Sequence, residues 1–220
     1  LTPPPAWSLQ LGAVGRGLVW VAVFFFLLAI LGWALEAKGE TYRKVGKFSF
    51  TAGVLALFGT FLSLTTLFLN NRFEFEYVFS HSDLKNPPLY RFAGLWSGQE
   101  GSFLLWATCS ALFAFACIRN MGVYRRWVTI VTSSFLAMIV AILAFESPFK
   151  LAMLDGKSFV PEDGAGLAPS LQNYWVAIHP PVIFLGFGSL TTLFALGFAA
   201  LATRDYKSWL PIIRPLAILS

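Results

Sequence analysis

Five stretches without a single Asp, Glu, Lys or Arg constrain this chain more than any other feature. They run from Leu18 to Leu35, Phe48 to Leu69, Ser102 to Ile118, Trp127 to Phe145 and Pro180 to Thr203. A helix needs roughly 20 apolar residues to cross the hydrocarbon core of a bilayer, and these five runs are of that order. Segments such as Val21 to Leu31 are apolar on every side, which excludes the alternating strands of a membrane β-barrel. The first run is too long, and wrongly flanked, for a cleavable signal peptide. The expectation is an all-α, polytopic transmembrane helical bundle, one membrane domain over residues 1–220. A sixth apolar segment begins near Pro215 and is truncated at Ser220, and the first residue is Leu. The sequence therefore reads as a piece of a longer protein.

Charge sets the direction of the bundle. Lys38, Arg43, Lys44 and Lys47 follow the first run, Arg119, Arg125 and Arg126 the third, and Arg204, Lys207 and Arg214 the fifth. These are ten of the 16 Lys and Arg, and only Glu36, Glu40 and Asp205 of the 11 acids lie among them. Basic residues in short loops mark the cytoplasmic side. The chain is thus expected in an inner or plasma membrane, multi-pass, with its N-terminus outside. The net charge of +5 is spent on orientation in the lipid bilayer and does not indicate nucleic acid.

The two outer connections, residues 70–101 and 146–178, are much longer than the basic ones. They carry Phe73, Phe75, Tyr77, Phe79, Tyr90, Phe92, Trp96, Phe159, Tyr174 and Trp175, a composition that argues against disorder. Long loops in a compact protein are commonly functional. Chemistry is therefore sought on these two extracytoplasmic loops. Cys109 and Cys117 are about 12 Å apart along one helix, too far for a disulfide, and read as small packing residues.

Three places could carry chemistry. In Ala177-Ile178-His179-Pro180-Pro181, proline disfavours the α conformation in the residue before it and suits the first turn of a helix. The last complete membrane helix is expected to start at Pro180 with an extended His179 at its cap. The positive end of the helix dipole favours neutral imidazole there, the form that binds metal. Two roles suit that position. One is an axial ligand to haem or another metal; the other is an interfacial histidine bonded to a carbonyl or a headgroup. In Leu95-Trp96-Ser97-Gly98-Gln99-Glu100-Gly101-Ser102, Ser97 and Glu100 have capping-box spacing. Gly98 and Gly101 make better sense if a ligand or another backbone approaches closely. His81, in Phe79-Ser80-His81-Ser82-Asp83, reads as a solvated loop histidine. No phosphate loop, nucleophile elbow or paired-carboxylate site occurs, and no catalytic residue is assigned.

At these residues the chain resembles a known family. Tyr90-Arg91 followed by Leu95 through Trp106 is similar to the W-G-G-Q/H-E-G-S-x-L-L-W segment of the CcmF and NrfE haem lyases. Leu171 through Pro181 resembles their L-L-Q-x-P-x-x-x-I-H-P-P segment. Order, separation and membrane setting agree, and the resemblance places the whole chain in the N-terminal part of such a protein. It implies cytochrome c maturation: haem is received from a haem chaperone and attached to the Cys-x-x-Cys-His segment of apocytochrome c. Within that resemblance His179 matches an outer axial haem ligand. Trp96, Gly98, Gln99, Glu100 and Gly101 match a segment suited to contact haem or a partner. The full-length protein is implied to be a haem lyase, to work with other maturation subunits, and to hold a b-type haem whose ligands lie outside this chain. Ser97 replaces the first glycine of the family's W-G-G, and Asn173-Tyr174 lacks the family's proline. The family's WWD segment is also absent from the residues present.

Two other functions fit a polytopic membrane chain. A transporter tends to show charges or broken helices near the midplane, and the runs show neither. A quinone-linked electron-transfer subunit with b-type haem needs histidines deep in its helices, and neither histidine lies there.

Overall fold

The computed structural model describes residues 4–154, 157–168 and 171–219. Among the described residues there are eight α-helices: α1 (Ala6–Ala34), α2 (Glu40–Leu69), α3 (Glu76–His81), α4 (Pro88–Gly94), α5 (Gln99–Cys117), α6 (Arg125–Phe145), α7 (Tyr174–Thr203) and α8 (Leu210–Leu219). Five of them, α1, α2, α5, α6 and α7, are long and apolar enough to cross a membrane. The chain is a multi-pass membrane protein. The helices run up and down, with α1 against α2 and α6, and α5 against α2, α6 and α7. The short basic connections close one end of the bundle, and the two long connections meet at the other.

Several helices start earlier than the apolar runs. At 29 residues, α1 is about 43 Å long, more than the roughly 30 Å of hydrocarbon. Its first turns therefore stand beyond the bilayer core, where Arg16 is exposed. Contacts with the long connections hold this extension. A Cβ on Gly12 would come within 2.4 Å of the Phe75 ring, and one on Gly15 within 2.4 Å of Phe149. The Ser8 hydroxyl donates to the carboxylate of Glu74, which is 1% exposed. At the other end α2 starts at Glu40, which pairs with Arg43 and Lys44 at 3.6 Å each. The sixth apolar segment forms α8, which starts at Leu210, not near Pro215, which lies inside it.

Lipid and protein are equally apolar, so membrane helices associate through close packing of small residues and buried polar side chains. A Cβ on Gly32 would lie 2.5 Å from the backbone nitrogen of Gly46, so α1 and α2 cross with their backbones in contact. A Cβ on Gly188 of α7 would lie 2.8 Å from the backbone at Cys109 and Ser110 of α5, a second close helix crossing. Both cysteines are free and partly buried. Thr60, Thr108 and Thr129 are buried and return their hydroxyls to carbonyls four residues earlier. Phe24, Phe48, Leu55, Phe194 and Leu201 face outward.

The long connections are folded against each other. Glu76 N–H donates to Lys150 O at 2.9 Å, Ala152 N–H to Glu74 O at 2.8 Å and Ala165 N–H to Phe79 O at 2.8 Å. Two short antiparallel strands, β1 (Met153–Leu154) and β2 (Lys157–Ser158), pair within the second connection.

Candidate functional site

The two motifs are assembled at the end of the bundle that carries the long connections. The start of α5 is not closed by a capping box. Gly98 is its N-cap without any side-chain bond, and the Ser97 hydroxyl turns back to Gly94 O at 2.8 Å. The cap comes from another element. The buried Tyr77 hydroxyl of α3 accepts from the N–H groups of Gly98 and Gly101, both at 3.1 Å, and donates to Leu95 O at 3.0 Å. One side chain thereby satisfies two of the four N–H groups that a helix start leaves free. Burial raises the Tyr77 pKa well above that of an ordinary phenol, so the proton donated to Leu95 stays in place.

This arrangement explains both glycines. A Cβ on Gly101 would lie 1.6 Å from Leu95 O, and one on Gly98 would lie 2.6 Å from His81 Nε2. The close approach comes from this chain's own backbone and from His81. His81 is not a solvated loop residue. It ends α3 half-buried, its Nδ1 is 2.9 Å from Tyr77 O, and its ring lies 4.5 Å from the Tyr77 ring.

The second motif differs from the sequence expectation at its centre. Helix α7 starts at Tyr174, not Pro180, with Asn173 as N-cap accepting from Trp175 N–H at 2.9 Å. Pro180 and Pro181 lie inside the helix and His179 is helical, the sixth residue of α7. Proline's steric preference on the preceding residue is overridden because Asn173 nucleates the helix a turn and a half earlier. The dipole argument weakens accordingly, since its effect falls off within the first turn.

Proline inside a helix removes the donor for the carbonyl four residues earlier. For Pro180 that carbonyl is Val176, and Trp96 Nε1–H donates to Val176 O at 2.8 Å. The indole of the first motif thus replaces the bond that Pro180 of the second removes. Trp96 is 4% exposed. The two motifs form one structural unit.

The remaining residues are more open. Gln99 is exposed and Glu100 half-buried. With Phe103, Ile142, Leu143 and Glu146 they line a cavity of about 140 Å³. Lys150 Nζ lies 2.5 Å from Glu146 Oε2. The bond to Glu146, with the more distant fields of Glu76 and Glu100, raises the Lys150 pKa. His179 is exposed. Trp175, one turn before it, and Val182 and Ile183, one turn after, share its side of the helix and are exposed too. An accessible imidazole flanked by aromatic and aliphatic surface fits an axial ligand to an apolar macrocycle. Among the described residues, no three His, Cys, Asp or Glu side chains cluster to hold a metal ion.

The sequence profile of the cytochrome c assembly protein family matches residues 96–220, from Trp96 onward. The chain belongs to the cytochrome c assembly family. It is 28% identical over 191 residues to the cytochrome c-type biogenesis protein CycK of Bradyrhizobium diazoefficiens, covering 83% of this chain and 28% of that protein. It is 28% identical over 204 residues to the cytochrome c-type biogenesis protein CcmF of Escherichia coli, covering 89% of this chain and 31% of that one. The solved structure of the cytochrome c heme lyase CcmF superposes with a TM-score of 0.79 at 25% identity, over all of this chain and 34% of that one. This member of the cytochrome c assembly family thus spans about a third of the length of its relatives, and matches their N-terminal part.

Motif reading missed Tyr77. Its spacing to Gly98 and Gly101 crosses two helices and a loop, and no local pattern encodes that contact.

Proposed function

We propose that this chain is the part of a CcmF-type maturation protein that presents one axial ligand, His179, to haem at the extracytoplasmic face. Cytochrome c biogenesis is the family's business. The finer role rests above all on the Trp96 bond to Val176, which fastens both family motifs together three residues from an exposed His179. Haem is the substrate here: each thiol of the Cys-x-x-Cys-His acceptor adds S–H across one haem vinyl, forming one C–S and one C–H bond. The chain's residues hold and orient. His179 would supply the imidazole, Trp175 and Val182 the apolar surface beside it, and Trp96 the fixed position of the helix turn that carries it. Gln99 and Glu100, at the open end of α5, are placed to meet a partner: the haem chaperone, apocytochrome c or another maturation subunit. The basic end of the bundle then faces the cytoplasm, and the N-terminus and both long connections face outside.

The test is His179→Ala in the full-length protein. Insertion and accumulation should be unchanged, because Asn173 caps α7 without it. The haem bound at the outer face should be lost or spectrally altered, and cytochrome c maturation should fall, with recovery by added imidazole. Normal maturation without imidazole, and an unchanged haem spectrum, would remove His179 from this role.

A further inference from the structure

The opposite end of the bundle carries a second site that the haem reading does not use. A cavity of about 260 Å³ opens between α1, α2, α5 and α6, lined in part by Trp33, Lys47, Thr51, Arg119, Arg125 and Thr129. Three cations converge on it from three separate elements. None has a carboxylate within 4 Å among the described residues, whereas the neighbouring Arg43 and Lys44 share Glu40. Arg125 is fixed in place: its Nε donates to Ile118 O at 3.0 Å, and an Nη donates to Arg119 O. That uses the guanidinium to tie off the end of α5 and leaves further N–H groups for a ligand. Trp33 is 3% exposed, and its Nε1–H has no acceptor among the described residues. A buried donor without a partner is costly, and an oxygen-rich anion beside it would meet that need.

We propose that this cavity binds the phosphate of an anionic phospholipid. Two observations favour a lipid over a free anion. Lys47 lies seven residues into α2 and directly before exposed Phe48, which is the headgroup level of the bilayer. Thr51 also lines an adjoining apolar groove formed by Leu18, Phe48, Ala52, Leu55 and Ala56. From Phe48 to Ala56 that groove follows α2 for about 12 Å, enough to seat the upper part of an acyl chain. Headgroup cavity and tail groove meet at one residue, as a phospholipid requires. Basic pockets between membrane helices are a known setting for such headgroups.

The experiment uses the full-length protein in detergent micelles, with thermal unfolding read after adding phosphatidylglycerol, phosphatidylcholine or inorganic phosphate. Phosphatidylglycerol should raise the midpoint and the other two should not. Lys47→Gln with Arg119→Gln should weaken the apparent affinity for phosphatidylglycerol by about 30-fold, taking roughly 1 kcal/mol per basic residue near the surface. Arg43→Gln with Lys44→Gln should leave it within about twofold. Trp33→Phe removes the N–H with part of the indole and keeps a six-membered ring. It should lower the midpoint of the lipid-free protein only through lost packing and should weaken the shift given by phosphatidylglycerol, so a folding defect in the double variant does not decide the matter. Equal shifts from phosphatidylcholine, or an unchanged shift in the Lys47/Arg119 variant, would overturn the site. An equal shift from inorganic phosphate would overturn the lipid assignment in favour of a free anion.

Discussion

Replacing Trp96 with Phe isolates the bond that joins the two motifs. Phenylalanine keeps most of the ring, including much of its edge-to-face contact with Phe92 at 4.8 Å, and loses the N–H that reaches Val176 O at 2.8 Å. Leaving that carbonyl without a donor should cost about 1–3 kcal/mol. The decisive partner substitution is Pro180→Ala, because alanine returns a backbone N–H four residues after Val176. In that background the indole is redundant, and Trp96→Phe should cost only the small loss of packing. The expected coupling is about 1–2 kcal/mol, well above the roughly 0.3–0.5 kcal/mol within which independent sites add. The change in unfolded-chain entropy caused by removing proline and the lost ring area each occur on both sides of the cycle and cancel. Unfolding free energies of the four proteins in mixed micelles provide the measurement. Hydrogen exchange over residues 174–179 provides a second: Trp96→Phe should speed it and the added Pro180→Ala should restore protection. Strict additivity, or unchanged exchange in Trp96→Phe, would show that Trp96 does not substitute for the missing helical donor.

Tyr77→Phe should destabilise the protein by about 1–3 kcal/mol, because three backbone groups at the start of α5 lose one buried hydroxyl, while Glu100→Gln should leave the unfolding midpoint unchanged. If Glu100→Gln proteins accumulate normally yet mature less cytochrome c, the carboxylate serves a partner, since no capping bond depends on it. Gly101→Ala should abolish accumulation, with its Cβ 1.6 Å from Leu95 O, whereas Gly17→Ala, with nothing within 4 Å, should be silent on immunoblots. A cysteine at Lys85 should react with an impermeant thiol reagent applied from outside; labelling only after the membrane is opened would reverse the orientation proposed above.

The membrane class, the five spanning segments and the two motifs were legible in the sequence because each is local. Hydrophobicity over about 20 residues decides whether a segment enters lipid, and no distant contact can undo five such runs. Gly98 and Gly101 were also legible as sites of close approach, although the sequence could not say that Leu95 O and the His81 ring would be what approaches. Helix limits and caps were not legible. The chain continues α1 back to Ala6 because Phe75 and Phe149, some 60 and 130 residues away, cover Gly12 and Gly15. It starts α7 at Tyr174 because Asn173 caps it and Trp96 meets the carbonyl that Pro180 frees. Local propensity gave Ser97 and Glu100 the cap of α5, but a hydroxyl from α3 fills that role. Apolar length is a property of a segment, so the sequence alone determined which helices cross the membrane. Satisfying the polar groups at their ends depends on which side chains the folded connections bring there, and only the tertiary structure decided that.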